Sequence, residues 1–423
     1  MLLLAACTNN LTLDSQAFPD KVPGPITAGA AEGVVDVPMG APMGGYSARC
    51  KLLGRSSYQD KRQSAYVNAW AVSTGSHTEP RVKALWIDNG EDAIAMIKFD
   101  AIYSYDDLVR AVSEGLSEHT GRDMTGKVTI SASHSHAMPA NYSDQIHFYL
   151  GGDSFNREIF QRYVDKMVEV ASAAYDARVP AAIGQRWVKD WDPNDLVYHD
   201  RRGENDTIQP WPDYTPGPYK DPWLHVLRVD DANTGDPIAV TVTFGMHGTI
   251  LSEDNPMWSS DSSGGVEAAL EEQFDSKVIV MHLQGAGGDA SPGGIFDGFA
   301  STESVGELAA PLLYSAWEGT PVGTRPIDLE SAARHIPQQR EEIHVSAVTR
   351  AAVIGGDVGY FLVSTFNDST AQDVARVMDS LTTAGARRFV LDLRGNPGGL
   401  LAQGVAVADL FLDRGQRIAD RKS

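Results

Sequence analysis

The chain reads as a mixed α/β protein built around a largely buried sheet. From about Ala28 to Pro337, short apolar runs bounded by turn residues alternate with longer stretches of helical spacing. Val278–Leu283 is a run of apolar residues broken at His282 alone, the pattern of a strand covered on both faces. Beyond Val353 the same alternation returns as a compact β-α-β-α unit. At 423 residues the chain is long enough for two or three domains, each with its own core.

Taken in order, Arg81–Ile87 and Ala93–Phe99 are two apolar runs joined through Asn89-Gly90, a favoured hairpin turn. Asp106–Leu116 carries helical spacing. So does Phe155–Ala171, where Ile159, Phe160, Tyr163, Val164 and Met167 share a face. The run Val-Thr-Ile-Ser-Ala-Ser that precedes His134 reads as a strand, which puts His134 and His136 on one side of its tip. Arg186 to Trp223 is rich in Trp, Pro and Asp and reads as a long loop, functional or a local embellishment rather than core. Ile238–Phe244 is a strand whose Thr241 and Thr243 lead towards His247. Val266–Leu270 begins a helix after a Ser/Gly-rich entry, and Val278–Leu283 is the buried strand that follows. In the last region Val358–Thr365 is a strand. Ser369 can cap a helix bearing Val374, Val377, Met378 and Leu381, and Gly385 ends that helix. Phe389–Leu393 is the next strand, and Asn396-Pro-Gly-Gly turns into a helix over Leu400–Leu412.

A formal net charge of −21 excludes nucleic acid as a partner class and a polybasic attachment to anionic lipid. No stretch is long and apolar enough to cross a bilayer as a helix. Met1-Leu-Leu-Leu-Ala-Ala-Cys7 reads as the end of a bacterial lipoprotein-type signal, with Cys7 the residue to be lipidated and the polar stretch Thr8 to Pro25 a tether. A basic n-region and a longer h-region are missing, so the expectation is a signal whose beginning was lost or whose start codon was placed late. The expected location is the cell envelope of a bacterium, either periplasmic or membrane-anchored, with secretion as the alternative. With Cys50 as the other of two cysteines, no disulfide framework is expected.

Three segments end in polar or glycine-rich tips: Ser133–His136, His247–Thr249 and Gly285–Gly294. Reactive groups gather at strand ends held by a rigid sheet. Neutral imidazoles suit zinc, which in a catalytic site typically has three protein ligands and an activated water. His134, His136 and His247 are the candidate imidazoles, and an acidic or phenolic residue must complete the set. By pattern the nearest acids are Asp261 in Ser259-Ser-Asp and Asp289 in Gly-Gly-Asp. We assign Asp261 to the metal and place Asp289 on the reactive turn with Ser291. The run Gly285-Ala-Gly-Gly-Asp-Ala-Ser291-Pro lacks the Lys-Ser/Thr of a phosphate-cradling loop, which rejects nucleotide binding.

The chain carries Ala28-Gly-Ala-Ala-Glu-Gly-Val-Val-Asp-Val-Pro with Met43-Gly-Gly-Tyr46, Ile130-Ser-Ala-Ser-His-Ser-His, Leu227-Arg-Val-Asp, Phe244-Gly-Met-His-Gly-Thr and Leu283-Gln-Gly-Ala-Gly-Gly-Asp-Ala-Ser-Pro. In this order, over about residues 28–337, these blocks resemble the neutral/alkaline non-lysosomal ceramidase family, N-terminal domain. The resemblance implies zinc-dependent hydrolysis of the amide bond of N-acyl lipids, with a ceramide-like lipid amide as substrate. It implies zinc on His134 and His247, His136 facing substrate, Ser291 near the reacting amide and Arg201 in contact with substrate. The chain departs from the family pattern at Ala137-Met-Pro-Ala, where Ser-Gly-Pro-Gly is usual, and at Gly248, where Pro is common. The glutamate and tyrosine that the family adds to the metal come from its later half, and no segment here matches them.

Arg388-Phe-Val-Leu-Asp-Leu-Arg394-Gly-Asn-Pro-Gly-Gly399-Leu-Leu, preceded by Gly356-Asp-Val-Gly-Tyr, resembles the C-terminal processing peptidases over about residues 353–421. That resemblance assigns Gly398 and Gly399 to an oxyanion hole. The family's serine nucleophile and lysine base would lie beyond residue 423. The expected organisation is therefore a signal and tether (1–27), a ceramidase-like domain (28–340) and a partial protease core (341–423). Two other readings stand beside the zinc amidase. One is a serine peptidase fragment fused to a ceramidase-like domain, and the other a non-catalytic, membrane-tethered binding protein.

Overall fold

The computed structural model describes residues 24–51, 62–145, 148, 151–202, 219–294, 298–327, 329, 347–363, 366, 369–394, 396 and 401–412. The chain divides into two compact units, Met1–Arg334 and His335–Ser423.

The first unit opens with β1 (Thr27–Val34), β2 (Gly75–Ser76), β3 (Arg81–Asp88) and β4 (Ala93–Phe99), then α1 (Asp106–Thr120), β5 (Val128–Ala132) and α2 (Arg157–Asp176). Next come β6 (Val179–Lys189), β7 (Tyr198–Asp200), β8 (Trp223–Asp231), β9 (Pro237–Phe244) and β10 (Met257–Trp258). It closes with α3 (Asp261–Glu271), β11 (Ile279–Gln284), β12 (Ala290–Pro292) and α4 (Phe299–Glu318). The expected hairpin is present. Asn89 Oδ1 accepts the amides of Glu91 and Asp92, and Gly90 takes the left-handed backbone (φ 86°) that the turn requires. β3 and β4 then pair antiparallel in register from Asp88↔Ala93 to Val82↔Phe99.

Eight strands form one ladder in the order β11-β9-β8-β6-β1-β3-β4-β5. Its middle is a short stretch where β1 meets β6, Thr27↔Pro180 and Ala28↔Val179, with the Ala181 amide donating to the Ile26 carbonyl at 3.0 Å beside them. The ladder folds there, so that the two halves pack face to face. Leu85 and Ile87 of β3 and Met96 of β4 share a core with Val229 of β8, Ala239 of β9 and Ile279 and Met281 of β11. Strand alternation puts the neighbouring residues on the outer faces. Val82, Ala84 and Trp86 pack with α1 and α2, while Val240, Val242, Phe244 and Val280 pack with α3 and α4. The result is four layers, helix-sheet-sheet-helix. In α2, Asn156 accepts the amides of Glu158 and Ile159 at the N-terminus, and Ile159, Tyr163, Val164, Met167, Val170, Ala171 and Ala174 form the buried stripe.

On the inner face Lys83 and Lys98 meet the acidic side of α3. Glu267 lies 3.1 Å from Lys83 and 3.0 Å from Lys98, with Asp100 and Glu271 as further partners. Two expectations need correction here. Arg186–Lys189 continues β6, because β6 pairs with β8 from Ala181↔Asp231 to Lys189↔Trp223, so the supposed loop begins later. The strand before the histidines stops at Ala132, two residues short of His134, whose backbone is left-handed (φ 58°).

The second unit contains β13 (Val348–Ile354), β14 (Val358–Val363), α5 (Thr370–Thr383), β15 (Arg388–Asp392) and α6 (Leu401–Asp409). β14 and β15 are parallel, as a β-α-β unit requires, and β13 adds an antiparallel edge. Ser369 stands at the N-terminus of α5, where its hydroxyl donates to Asp373 at 3.3 Å. Cys7, Gly398 and Gly399 lie outside the described residues.

Candidate metal centre

β5 from one half-sheet and β9 from the other end side by side, and each continues into a turn bearing histidine. The turns are joined by a parallel bridge between Ser135 and Gly248, with the His136 amide donating to the Gly248 carbonyl at 3.0 Å. Gly248 is required for this approach, since a Cβ there would lie 2.5 Å from the His134 carbonyl oxygen. The Ser135 hydroxyl donates to the Ser259 carbonyl at 2.6 Å, fixing the turn to the chain just ahead of α3.

Three imidazoles meet at this junction. His134 donates from Nδ1 to the Ile102 carbonyl at 2.7 Å, and His247 donates from Nδ1 to the Gly287 carbonyl at 3.0 Å. Both rings therefore carry their lone pair on Nε2, and the two Nε2 atoms face each other at 3.2 Å. Neither of the buried ring nitrogens of His136 has a hydrogen-bond partner among the described residues. Its ring centroid lies 5.0 Å from both of the other imidazoles, and one ligand nitrogen from each of the three falls within 4.8 Å of the others. Burial is the main force that lowers all three pKa values, assisted at His136 and His247 by neighbouring imidazoles and at all three by the positive charge of Arg201. His136 is held down to about 2 and His247 to about 4, and His134 also falls below its ordinary value. The cluster is neutral at physiological pH.

A wall from the start of the unit closes one side. Tyr46 packs edge-on to His136 at 4.7 Å between centroids and donates its hydroxyl to the Leu251 carbonyl at 2.9 Å. Gly45 is left-handed (φ 88°), and a Cβ on it would stand 2.2 Å from the His136 ring. Arg49, 1% exposed, donates to the carbonyls of Gly44, His136, Ser252, Glu253 and Asn255. Tyr46 stood out in the sequence as part of a Gly-Gly-Tyr block, whereas nothing in the pattern singled out Arg49, because its partners are carbonyls of distant loops.

The remaining candidates separate. Asp261 does not join the cluster. Its oxygens accept the amides of Ile250 and Leu251, both at 3.0 Å, and that of Ser262 at 2.7 Å. Burial raises its pKa against those bonds, and its own backbone is left-handed (φ 55°). The third nitrogen-side group at the junction is His136, and Asp261 fastens the turn that follows His247. Asp289 is paired with Arg202 at 3.1 Å and is likewise outside the cluster. Its carbonyl accepts the Arg201 amide at 2.9 Å. Arg201 is half-buried, and its charge reaches all three histidines and Tyr46. Ser291 sits in β12 opposite His199 of β7, next to Ala290, whose carbonyl accepts the His247 amide at 2.8 Å. Sequence reasoning also gave no role to Gln284, which ties the strand ends together.

Fold and junction together define a four-layer α/β protein with a neutral imidazole cluster where its two half-sheets end. The family model of neutral/alkaline non-lysosomal ceramidase, N-terminal, matches residues 59–303, and residues 357–423 match that of Peptidase family S41. The chain belongs to the neutral/alkaline non-lysosomal ceramidase family. It is 22% identical over 311 residues to neutral ceramidase B of Dictyostelium discoideum, covering 69% of this chain and 40% of that protein. It is 40% identical over 174 residues to the carboxy-terminal processing protease CtpA of Bacillus subtilis, covering 38% of this chain and 35% of that one. The chain thus spans well under half the length of these curated relatives. Among solved structures, neutral ceramidase from Pseudomonas aeruginosa superposes with a TM-score of 0.57 at 15% identity, covering 89% of this chain and 68% of that one. A ceramidase complexed with C2 gives 0.56 at 19%, covering 69% and 43%. At these identities the likeness speaks for the fold.

Proposed function

We propose that the first unit is a zinc-dependent hydrolase of the amide bond of N-acyl lipids. The observation that carries this reading is the pair of opposed Nε2 lone pairs of His134 and His247, 3.2 Å apart. Both Nδ1 protons are committed to backbone carbonyls, and the depressed basicity keeps a proton from bridging the gap. Two lone pairs so placed repel unless a cation lies between them. Tetrahedral zinc with bonds of about 2.0–2.1 Å sets its ligand nitrogens about 3.3 Å apart. The donor set also fits the metal, since neutral imidazoles whose second nitrogen donates to a backbone carbonyl are the usual ligands. His134 and His247 would hold it, with His136 adjacent as a further nitrogen. Bound there, zinc supplies Lewis acidity towards an amide carbonyl and a lowered pKa for water.

The chain's own groups do the rest. His136 has lost so much basicity that it acts as a neutral donor or acceptor towards the metal or substrate, and it is no store for protons. The Arg201 charge facing the cluster stabilises negative charge that develops on the carbonyl oxygen. Ser291, on the glycine-rich turn next to the residue bonded to His247, orients the amide. The Leu4-Ala5-Ala6-Cys7 sequence supports an envelope location with Cys7 as a lipid anchor.

The test is metal content together with hydrolysis of short-chain N-acyl sphingoid lipids by the full chain, before and after chelation. We expect bound zinc, activity lost with the chelator and restored by zinc, and loss of both metal and activity in His134→Ala/His247→Ala. Amide hydrolysis by metal-free protein, indifferent to the chelator, overturns the reading. Zinc without turnover of any N-acyl lipid favours a binding protein in its place.

A further inference from the structure

We propose that Gln284 is a positioning residue that sets the spacing of the His134 and His247 imidazoles by clamping the ends of the two half-sheets together. The inference rests on the reading of these histidines as metal ligands. Gln284 is the last residue of β11, while Ser133 follows β5, and β11 and β5 are the outermost strands at opposite ends of the ladder. The Gln284 carboxamide spans the junction. Nε2 donates to the Ser133 carbonyl at 2.8 Å and to the Met246 carbonyl at 2.5 Å, and Oε1 accepts the Met246 amide at 3.2 Å. Ser133 and Met246 are the residues immediately before His134 and His247. One planar side chain therefore fixes the backbone from which each facing imidazole departs, across two half-sheets whose ladder is short at the hinge between β1 and β6.

The clamp reaches the ring orientation as well. The Gln284 amide donates to the Ser131 hydroxyl at 3.3 Å, so the backbone of β11 is also held to β5. Gln284 opens the turn in which the Gly287 amide donates to the Gly285 carbonyl at 2.9 Å, and the Gly287 carbonyl accepts Nδ1–H of His247. The residue that ties down the backbone ahead of both rings thus also begins the turn whose Gly287 carbonyl takes the His247 proton. An amide is required because the clamp needs two donors and one acceptor in a single plane, and no other uncharged side chain of that reach supplies them.

The experiment titrates the metal-free full chain with Co2+, following visible d–d absorption for affinity and coordination geometry. Gln284→Met keeps the length of the side chain without its donors, and Gln284→Asn keeps the amide but is too short to reach both carbonyls. We expect Co2+ affinity to fall about 10- to 100-fold in both, the scale typical of losing an outer partner of metal-binding histidines, with an altered d–d spectrum. Ile159→Val, in the α2 core, is the control for a mild loss of stability and should keep the wild-type affinity and spectrum. Unchanged affinity and spectrum in either Gln284 variant that folds, with the wild type binding Co2+, overturns the clamp alone. A wild-type chain that binds no Co2+ overturns the metal reading and the clamp with it.

Discussion

Removing the charge of Glu267 should cost the first unit about 3 kcal/mol of stability, within the range for breaking one partner of a buried ion pair. Glu267 is 4% exposed, and its Oε2 serves both Lys98 at 3.0 Å and Lys83 at 3.1 Å. At an effective dielectric of about 20, each such contact is worth roughly 5 kcal/mol of gross attraction, most of which offsets the cost of taking the charges out of water. In Glu267→Gln the lysines are not stranded, because Asp100 stays 2.6 Å from Lys98 and Glu271 stays 2.7 Å from Lys83. That places the expected loss at the lower end of the range. Gln also keeps an oxygen for the His282 amide, which Glu267 accepts at 2.8 Å, whereas Glu267→Met leaves this buried donor unmet and should cost about 1–3 kcal/mol more. Glu271→Gln is the milder contrast, since its carboxylate is 29% exposed, Lys83 keeps Glu267 and Gln retains an oxygen for the Val280 amide, so its loss should be smaller than that of Glu267→Gln. The assay is urea unfolding followed by tryptophan fluorescence. All 8 tryptophans fall between Trp70 and Trp317, so the signal reports on the first unit and is silent for the second. A Glu267→Gln midpoint equal to wild type would refute the claim that this cluster fastens α3 to the inner sheet face.

Two further outcomes follow from buried groups. Asp261→Asn, which still tolerates a left-handed backbone, should lower the stability of metal-free protein by about 1–3 kcal/mol because one acceptor of amide bonds becomes a donor. Its Co2+ binding should weaken but persist, whereas abolished binding with unchanged metal-free stability would make Asp261 a ligand after all. The second outcome concerns acid. Burial holds the His282 pKa at about 4 against 6.5 in the unfolded chain, so between these values the unfolded state takes up a proton that the folded state refuses. Its contribution is fully present above pH 6.5 and is lost as pH falls towards 4, by about 3 kcal/mol in all. Urea midpoints measured from pH 7 to pH 4 should decline across that window, and His282→Gln should flatten the decline. An equally steep profile in the variant would reject this cause.

What was legible in the sequence was whatever short-range physics decides. The Asn89-Gly90 turn fixes the register of β3 and β4, and the apolar stripe of α2 follows from spacing within one helix. The mostly apolar run at Val278–Leu283 falls in β11, which has Ile279 and Met281 in the inner core and Val280 in the outer one. β1 was missed for a physical reason. Ala-Gly-Ala-Ala in β1 is small because Gly29 lies against α2, where a Cβ would stand 2.3 Å from the Ala174 carbonyl, so close packing removed the apolar signal that marks a strand. Residue type alone also assigned Asp261 to the metal, since a carboxylate that binds a cation and one that binds three amides look the same before folding.

The histidines mark the limit most clearly. Alternation along a strand placed His134 and His136 on one side of a tip, yet the strand ends earlier and a left-handed residue turns the chain. The rings converge because the turn is bridged to Gly248 from the other half-sheet and walled by Gly45, Tyr46 and Arg49. A left-handed histidine costs of order 1–3 kcal/mol and persists only where its surroundings impose it. Here the Ile102 carbonyl holds one end of the ring and the Gln284 carboxamide holds the preceding residue. The strain at His134 and the clamp at Gln284 are therefore two aspects of one device. The backbone is bent against its preference so that two imidazoles from separate half-sheets present their lone pairs to a common point.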